Sequence, residues 1–257
     1  MAKWPKMDAS DGVFSTELKS WRDFHDVVAR TLDYPWYVFR GQRMSNWLLE
    51  PSLARIIKNQ KDRIKQLMAD HLVTFQLASR GRRGTNPPPL TTDNDWWALG
   101  QHHGLATPLL DWTSSPYVAL FFALAEPPSP DQTEHCVVFT AHRQRIEQKK
   151  TALNNDDPFF MDEFEFFQPR SDENSRMVAQ SGLFSRSPIG TDVESWVSNY
   201  FKGEKNKITL LKVSIPYSER TECLKALHVM NLNHATLFPD LYGAGKLSTE
   251  LLRRATA

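Results

Sequence analysis

Two short stretches of the chain hold residues whose types and spacing could do chemistry. The first is FRGQ (39–42), in which a guanidinium, a glycine and an amide follow an aromatic, β-branched run. An arginine at the mouth of a strand suits bidentate recognition of a phosphate or a carboxylate. A surface arginine paired with a local acid explains the same residue, and this stretch alone does not decide between the two.

The second stretch is LLDWTSSPYVALFFALAEP (109–127), in which the polar residues 111–115 separate a strand-like run from a very apolar helix. Hydroxyls beside the free N–H groups of a helix N-terminus form a corner that favours anions. Capping of the helix by Ser114 or Ser115, with Asp111 holding a turn, is the simpler interpretation. Ligand binding at this corner stays open on the residues alone.

Other motifs that could carry chemistry fail on inspection. GAGK (243–246) resembles a phosphate loop, but Asp240 stands where the first glycine is required and Leu247 replaces the Ser or Thr. His102 and His103 are adjacent, so in a regular element their side chains diverge instead of meeting on one metal. We therefore predict no metal site.

Length, composition and charge place broad limits on the protein. The chain has 257 residues, 40% hydrophobic and 24% charged, which is ordinary for a globular protein. Its net charge of +1 gives no overall field toward nucleic acid or membrane. Cys136 and Cys223 form no metal or disulfide framework, which fits a reducing cytosol. With no apolar signal core and no run of ~18 apolar residues, we expect a soluble cytoplasmic protein without a membrane partner.

The elements that position these residues follow from periodicity in the first third of the chain. Ser15 predicts the cap of a helix over 16–32. YPWYVF (34–39) predicts a strand that ends at Arg40-Gly41-Gln42, where Gly41 permits a sharp turn. Helical spacing predicts a helix over 60–79, and a polar, proline-rich exposed loop follows over 80–95.

Further elements are predicted beyond this loop. We expect a short helix at 96–100, a helix from Ser115-Pro116 to about residue 125, and a helix from 218 or 219 to about 230. Strands are predicted over 135–141, 207–215 and 234–238. Strands and helices mix without regular βαβ alternation, so the fold class we predict is α+β.

Taken together, the two opening stretches closely resemble a known family. YVFRGQRMSNWLLEPSLAR (37–55), followed by ALGQHHGLATPLLDWTSSPYVALFFALAEP (98–127), is similar to the FRG-domain family, named for its Phe/Tyr-Arg-Gly opening. The similarity extends through 174–184, 212–216 and 235–243. Pro108 departs from the family pattern, in which an arginine is usual.

A more distant resemblance is to ADP-ribosyltransferases of the Arg–Ser–Glu type. It implies a split, strongly bent β-sheet with flanking helices and an NAD cleft between the two halves. By this resemblance, Arg40 holds a phosphate or ribose of NAD, beside Gly41 and Gln42. Thr113 and Ser114 order the nicotinamide-side pocket.

The same resemblance implies further residues at the NAD site. Gln101 and His102 would line the pocket, and Asp111 would orient the corner. The acidic group that assists cleavage of the glycosidic bond is not fixed by the sequence. Its candidates are the acidic triplet Glu163-Phe164-Glu165, which also fits a solvated loop, Gln180 in its place, and Asp240.

The function implied is transfer of ADP-ribose from NAD to a macromolecule. Arg80, Arg82 and Arg83 make a nucleic-acid acceptor such as RNA slightly preferable to a protein. Bacterial enzymes of this type often act in toxin–antitoxin or phage-defence systems, with an antitoxin or chaperone as partner. The alternatives are NAD hydrolysis without an acceptor and a non-catalytic sensor module that binds nucleotide or nucleic acid.

The resemblance also implies a domain organisation. Residues 1–36 would be an N-terminal helical extension, 37–243 the FRG domain and 244–257 a C-terminal tail.

Overall fold

The computed structural model describes residues 7–31, 36–152, 164–169, 175–187 and 190–256. These residues form one eight-stranded open sheet, in the order β1-β2-β8-β5-β3-β4-β7-β6. The strands are β1 (Asp8–Ser10), β2 (Val13–Glu17), β3 (Tyr37–Gln42), β4 (Leu109–Thr113), β5 (His135–His142), β6 (Glu165–Phe167), β7 (Gly182–Arg186) and β8 (Leu210–Pro216). Strands β2 and β8 run parallel, and every other neighbouring pair is antiparallel.

Helices flank this sheet, as the predicted α+β class requires. They are α1 (Phe24–Thr31), α2 (Ser52–Ile57), α3 (Ile64–Ala78), α4 (Asp93–His102), α5 (Pro116–Leu124), α6 (Arg143–Ala152), α7 (Ser175–Ala179), α8 (Val193–Tyr200), α9 (Arg220–Val229), α10 (His234–Leu237) and α11 (Leu241–Thr256). None of the helices in the described ranges combines the length and the apolar character needed to cross a membrane.

The predicted N-terminal helix over 16–32 is wrong in its first half. Ser15 lies within β2, where Phe14 and Thr16 are buried in alternation with more exposed neighbours. That alternation is the period of a strand, and it lets β2 pair along its whole length with β8. The helical part starts later, at a 3-10 turn capped by Ser20 and Asp23.

The predicted turn at Gly41 is also wrong. Strand β3 continues through Gln42 and stays paired with β5 as far as Gln42↔Val137. A Cβ on Gly41 would lie 1.9 Å from the carbonyl oxygen of Ala119 in α5. Glycine is therefore required here for the close approach of a helix to a strand, and not for a change of chain direction.

Several predicted elements are confirmed with small shifts. The helix expected over 60–79 is α3, and the helix from Ser115-Pro116 is α5, with Ser115 as its N-cap. The strands expected over 135–141 and 207–215 are β5 and β8. The exposed loop ends earlier than expected, at Thr92, because a capping box between Thr92 and Asp95 starts α4 there.

The strand predicted over 234–238 is a helix instead. Asn233 accepts hydrogen bonds from the N–H groups of Ala235 and Thr236, and the Thr236 hydroxyl accepts from the Asn233 N–H. This reciprocal capping starts α10 and overrides the strand preference of so short a run. The GAGK sequence then lies inside α11, where the peptide N–H groups serve the helix and do not form a phosphate loop.

Side chains on the two faces of the central strands pack into separate hydrophobic cores. In β5, Cys136 and Val138 pack with α1, α5 and α9, whereas Val137, Phe139 and Ala141 pack with α6 and α8. A third core holds α2, α3 and α4 against β4 and β7. Helix α5, which follows β4 directly, is buried along most of its length.

The sheet has one weak joint, between β3 and β4. These strands share a single register pair, Phe39↔Thr113, whereas β3 and β5 share six and β4 and β7 share five. We call this joint the seam. It divides the sheet into a five-stranded half ending in β3 and a three-stranded half starting with β4.

Candidate functional site

A cleft of about 540 Å³ opens at the seam, where β3 and β4 diverge. Its wall combines arginines, two carboxylates and aromatic rings. The residues are Phe39, Arg40, Gly41, Gln42, Arg43, Trp47, Leu48, Arg55, Asp111, Trp112, Thr113, Ala119, Phe122, Glu126, Gln180 and Phe238. Three guanidinium groups face two carboxylates, so the cleft carries an excess of positive charge and suits an anionic ligand.

Arg40 spans the seam. Its NH1 donates to the carbonyl oxygen of Asp111 at 2.7 Å and lies 3.6 Å from Asp111 Oδ2. The buried Nε of Arg40 has no acceptor among the described residues. Burial lowers the pKa of Arg40 and Asp111 opposes that shift, but a guanidinium remains charged in proteins. The cleft is thus lined by a cation whose buried Nε has no described acceptor.

Asp111 is held by a relay that starts in α4. Gln101 donates from Nε2 to Asp111 Oδ2 at 2.9 Å, and the Thr107 hydroxyl donates to Gln101 Oε1. Because the amide is fixed at both ends, it orients the carboxylate toward Arg40. Gln101 therefore supports the cleft from behind, and Asp111 lines it.

The Thr-Ser-Ser corner divides its tasks among three hydroxyls. Ser115 caps α5 by accepting from Val118 N. Thr113 donates to the Gln180 carbonyl at 2.7 Å, accepts from Ser115 N and lines the cleft. Ser114 pairs through its N–H with the Ser181 carbonyl at 3.0 Å and is not among the cleft-lining residues that the structure describes. Capping and a cleft-facing hydroxyl thus coexist.

Two glutamines on the cleft wall are fixed by backbone carbonyls. Gln180 donates from Nε2 to the Leu237 carbonyl at 3.0 Å, which ties the segment after α7 to α10. Gln42 is buried and donates to the Trp47 carbonyl at 3.3 Å. Both side chains therefore shape the wall of the cleft.

Two of the predicted acidic candidates lie outside the cleft. Glu165 is on β6, two strands beyond β4, and accepts a hydrogen bond from Asn94. Asp240 accepts from Gly243 N and pairs with Arg176, and these two contacts hold the pKa of Asp240 below its usual range. Glu163 lies outside the described residues. Of the candidates for the third catalytic element that the structure describes, Gln180 alone lines the cleft.

His102 lines a different cavity, of about 720 Å³, at the end of α3 and α4. This second cavity also contains Phe75, Arg82, Arg83 and His103. Burial lowers the pKa of His102, and the nearby His103 and Arg176 act in the same direction. The structure thus separates His102 from Gln101, its neighbour in the chain, and the two serve different sites.

The cleft includes charged and aromatic residues that sequence reasoning missed, among them Arg43, Trp47, Arg55 and Glu126. Arg43 and Trp47 belong to the turn after β3, Arg55 lies on α2, and Glu126 follows the end of α5. Arg43 stands three residues after Arg40, and this spacing is the one sequence signal that could have indicated it. Arg55 and Glu126 reach the cleft through tertiary packing, which no local pattern reports.

The comparisons with known proteins agree with part of the sequence prediction. Neither the curated proteins nor the solved structures contain a significant match to the chain. The family model described as FRG domain matches residues 36–132. That span includes β3, the seam, α5 and both predicted motifs, whereas the similarity predicted beyond residue 132 lies outside it. Residues 36–132 therefore match the FRG-domain family, as FRGQ and the corner after β4 predict.

Proposed function

We propose that the cleft binds NAD and that the protein transfers ADP-ribose from NAD to a macromolecular acceptor. The observation that carries this proposal is Arg40 at the seam, with a buried Nε that no described residue accepts from. A buried guanidinium with an open donor has the chemistry of a phosphate site. The division of the sheet at the seam supports the further proposal of a fold like that of ADP-ribosyltransferases.

The composition of the cleft fits a dinucleotide. The pyrophosphate of NAD brings negative charge, which Arg40, Arg43 and Arg55 would complement. Its two bases are flat rings, which aromatic side chains such as Trp47, Phe122 and Phe238 accommodate.

The proposed reaction breaks the bond between ribose C1′ and the ring nitrogen of nicotinamide. The electron pair of this bond goes to the nitrogen, so nicotinamide leaves as a neutral molecule and C1′ gains oxocarbenium character. An acceptor nucleophile then attacks C1′ and gives up its proton to a base. Asp111, oriented by Gln101, is the carboxylate beside Arg40 that can stabilise the developing positive charge.

The second cavity supports a nucleic-acid acceptor. Arg82 and Arg83 line it with the two histidines, and the Arg83 guanidinium lies 5.3 Å from the centre of the Trp96 ring. Cations beside aromatic rings suit a single strand, whose phosphates and bases they contact together. Helix α4 links the two sites, because Gln101 faces Asp111 and His102 faces the second cavity.

The test combines NAD labelled in its adenosine phosphate with the purified protein and a cell lysate. We expect release of free nicotinamide and a labelled macromolecule. Label that nuclease removes and protease leaves identifies a nucleic-acid acceptor, and the reverse result identifies a protein. Free ADP-ribose with no labelled macromolecule identifies hydrolysis.

The matched variants are Arg40→Lys and Lys225→Gln. Arg40→Lys keeps a cation but loses the planar fork, so we expect NAD affinity to fall by about ten- to a hundredfold. Lys225 is exposed on α9 and pairs with Glu222, so its variant retains wild-type activity. Unchanged NAD binding by a folded Arg40→Lys protein contradicts the proposed role of Arg40.

A second candidate function is a nucleotide-binding module without transfer. It is favoured by the position of Glu165 and Asp240, both of which lie outside the cleft and make structural contacts. In the same assay, the module binds NAD or ADP-ribose through Arg40 but releases no nicotinamide. Release of nicotinamide that requires Arg40 excludes it.

The biological setting we propose is a cytoplasmic effector of the toxin–antitoxin or phage-defence type. Two free, buried cysteines fit a reducing compartment. Expression of the wild-type chain is expected to arrest growth of a bacterial host, whereas Arg40→Lys is tolerated. Equal growth with the wild type and with Arg40→Lys contradicts this setting. The NAD assay described above then tests the reaction independently.

A further inference from the structure

The turn that follows β3 presents an unusual surface to the cleft. We call residues 43–48 the 43–48 turn. Its Trp47 and Leu48 are 49% and 58% exposed, yet both line the cleft. The Arg43 guanidinium lies 5.5 Å from the centre of the Trp47 ring. A large indole left half in water beside a cation has the composition of a stacking platform for a base.

The turn is anchored from several sides. Ser45 N donates to the His135 carbonyl at 3.3 Å, and Gln132 donates to the Arg43 carbonyl at 3.0 Å. From within the strand, Gln42 donates to the Trp47 carbonyl. Met44 is buried and fixes the turn against the body of the protein. These contacts fix the backbone of the turn, and the fixed backbone keeps the Trp47 side chain exposed.

Arg43 resembles Arg40 in having a buried Nε without an acceptor among the described residues. Its NH1 donates to the Pro127 carbonyl at 3.3 Å, while its buried Nε has no acceptor among the residues described. Two guanidinium groups three residues apart thus line one cleft, and each has a buried Nε without an acceptor among the described residues. Such a pair can grip neighbouring phosphates of a diphosphate.

Position along β3 assigns the two ends of the cleft. Thr113 sits opposite Phe39 at the seam, beside Gln180 and the carboxylate of Asp111. Arg43 follows Phe39 by four residues, which is about 13 Å of extended chain. The corner with the reactive groups and the 43–48 turn therefore lie at opposite ends of the cleft, as the two bases of a dinucleotide do.

We infer that the 43–48 turn is the subsite for the adenine half of the ligand. The adenine ring stacks on Trp47, and Arg43 donates to the adjacent phosphate. The nicotinamide half then lies at the corner of Thr113 and Gln180. This inference rests on the proposed function, because it takes the ligand of the cleft to be a dinucleotide.

The test measures dissociation constants for NAD, ADP-ribose and nicotinamide mononucleotide. Base stacking on an aromatic side chain is worth about five- to 150-fold in affinity, so Trp47→Ala should weaken NAD and ADP-ribose by that factor. Nicotinamide mononucleotide, which has no adenine, should bind Trp47→Ala as it binds the wild type. Trp47→Phe keeps a ring and should retain most of the affinity.

Trp36 provides the matched control. It is 46% exposed, similar to Trp47, but lies outside the cleft lining. Trp36→Ala is expected to bind all three ligands with wild-type affinity. Thermal unfolding of each variant shows that the fold is kept.

A second variant tests the phosphate contact. Arg43→Gln should weaken ADP by about tenfold or more and leave adenosine nearly unchanged, because the lost interaction is charge-assisted and directed to phosphate. Equal losses for ADP and adenosine contradict the assignment of Arg43.

The outcomes separate this inference from the proposed function. If Trp47→Ala binds and cleaves NAD like the wild type, the adenine subsite is wrong and the transferase stands. If the wild type binds ADP-ribose through Trp47 but releases no nicotinamide, the transferase is wrong and the subsite stands. If the wild type binds none of the three ligands, both are overturned.

Discussion

At the scale of single residues, Gly41 is where the cleft wall and α5 approach most closely. An added methyl group would meet the Ala119 carbonyl oxygen at 1.9 Å and the Ala123 nitrogen at 2.6 Å, and both are backbone atoms that cannot rotate away. We predict that Gly41→Ala lowers the free energy of unfolding by about 1–3 kcal/mol or more. Urea denaturation measures this loss.

Gly245 is the control for this prediction. It lies inside α11 with no atom within 4 Å of an added Cβ among the described residues. Gly245→Ala should raise the free energy of unfolding by about 0.5–1 kcal/mol, because alanine loses less backbone entropy in a helix. If both variants unfold at the same urea concentration as the wild type, the close approach at Gly41 carries no energetic weight.

His102 makes a residue-scale prediction about pH. Burial lowers the pKa of His102 below its usual 6.5, so the unfolded chain takes up this proton at a higher pH than the folded protein does. Stability from this residue is therefore complete above pH 6.5 and falls as the pH drops toward the lower folded pKa. We expect His102→Gln to lose less Tm than the wild type between about pH 7.5 and about pH 5.5. An equal or larger loss contradicts the sign.

The sequence alone predicted some of the residues that line the cleft and missed others. Arg40 and Thr113 stand in local patterns, a strand end and a strand-to-helix corner, and the cleft contains both. Gly41 was expected to turn the chain because conformational freedom is the usual reason for a glycine. Its actual reason is the backbone of α5, which is some 80 residues away in sequence and leaves no local signal.

At the scale of elements, α5 connects the corner to the core. Ser115 accepts from Val118 N and so satisfies one of the free N–H groups at the start of this buried helix. Ser115→Ala should lower the free energy of unfolding by about 0.5–2 kcal/mol. Chemical denaturation of the folded protein provides the measurement.

Its neighbour Ser114 is the matched comparison for stability. The Ser114 hydroxyl is exposed and caps no N–H group of α5, so Ser114→Ala should change stability little. A larger loss for Ser114→Ala than for Ser115→Ala contradicts the assignment of the cap.

Elements were predictable where their signals are local. The cap, the proline and the apolar run of α5 stand together in ten residues, and the helix follows them. The run at 234–238 misled, since its strand preference is weaker than the reciprocal capping of Asn233 and Thr236. Strand β2 was missed because its pairing partner, β8, lies nearly 200 residues later in the chain.

At the scale of the whole molecule, the N-terminal segment completes the sheet. Strand β2 covers the edge of β8 over five register pairs and buries Phe14. An uncovered strand edge pairs with other chains. We predict that deletion of residues 1–17 lowers the Tm and causes concentration-dependent association in size-exclusion chromatography.

A peptide of residues 7–19 serves as the control for this deletion. Added to the truncated protein, it should occupy the edge of β8 and restore both the Tm and the elution volume. A truncated chain with the elution volume and the Tm of the wild type shows that the sheet does not need its two N-terminal strands.

The order of strands was beyond prediction from the sequence. Periodicity identifies a strand but does not name its neighbour, so the α+β class could be predicted and the position of the seam could not. The acidic candidates depended on the same missing information. Glu165 lies on the outermost strand of the three-stranded half, and only the strand order reveals that distance from Arg40.

The seam also has a consequence for amide exchange with solvent. Opening the sheet there breaks the contacts of one register pair, whereas opening it between β3 and β5 breaks those of six. The amides of Phe39 and Thr113 should therefore exchange hydrogen for deuterium well before those of Val137 and Val138 in β5. A ligand that contacts Arg40 on one side and Thr113 on the other connects the two halves of the sheet across the seam. Slower exchange of the amides on both sides of the seam when such a ligand binds would show that the sheet opens at the cleft and that the ligand holds it closed.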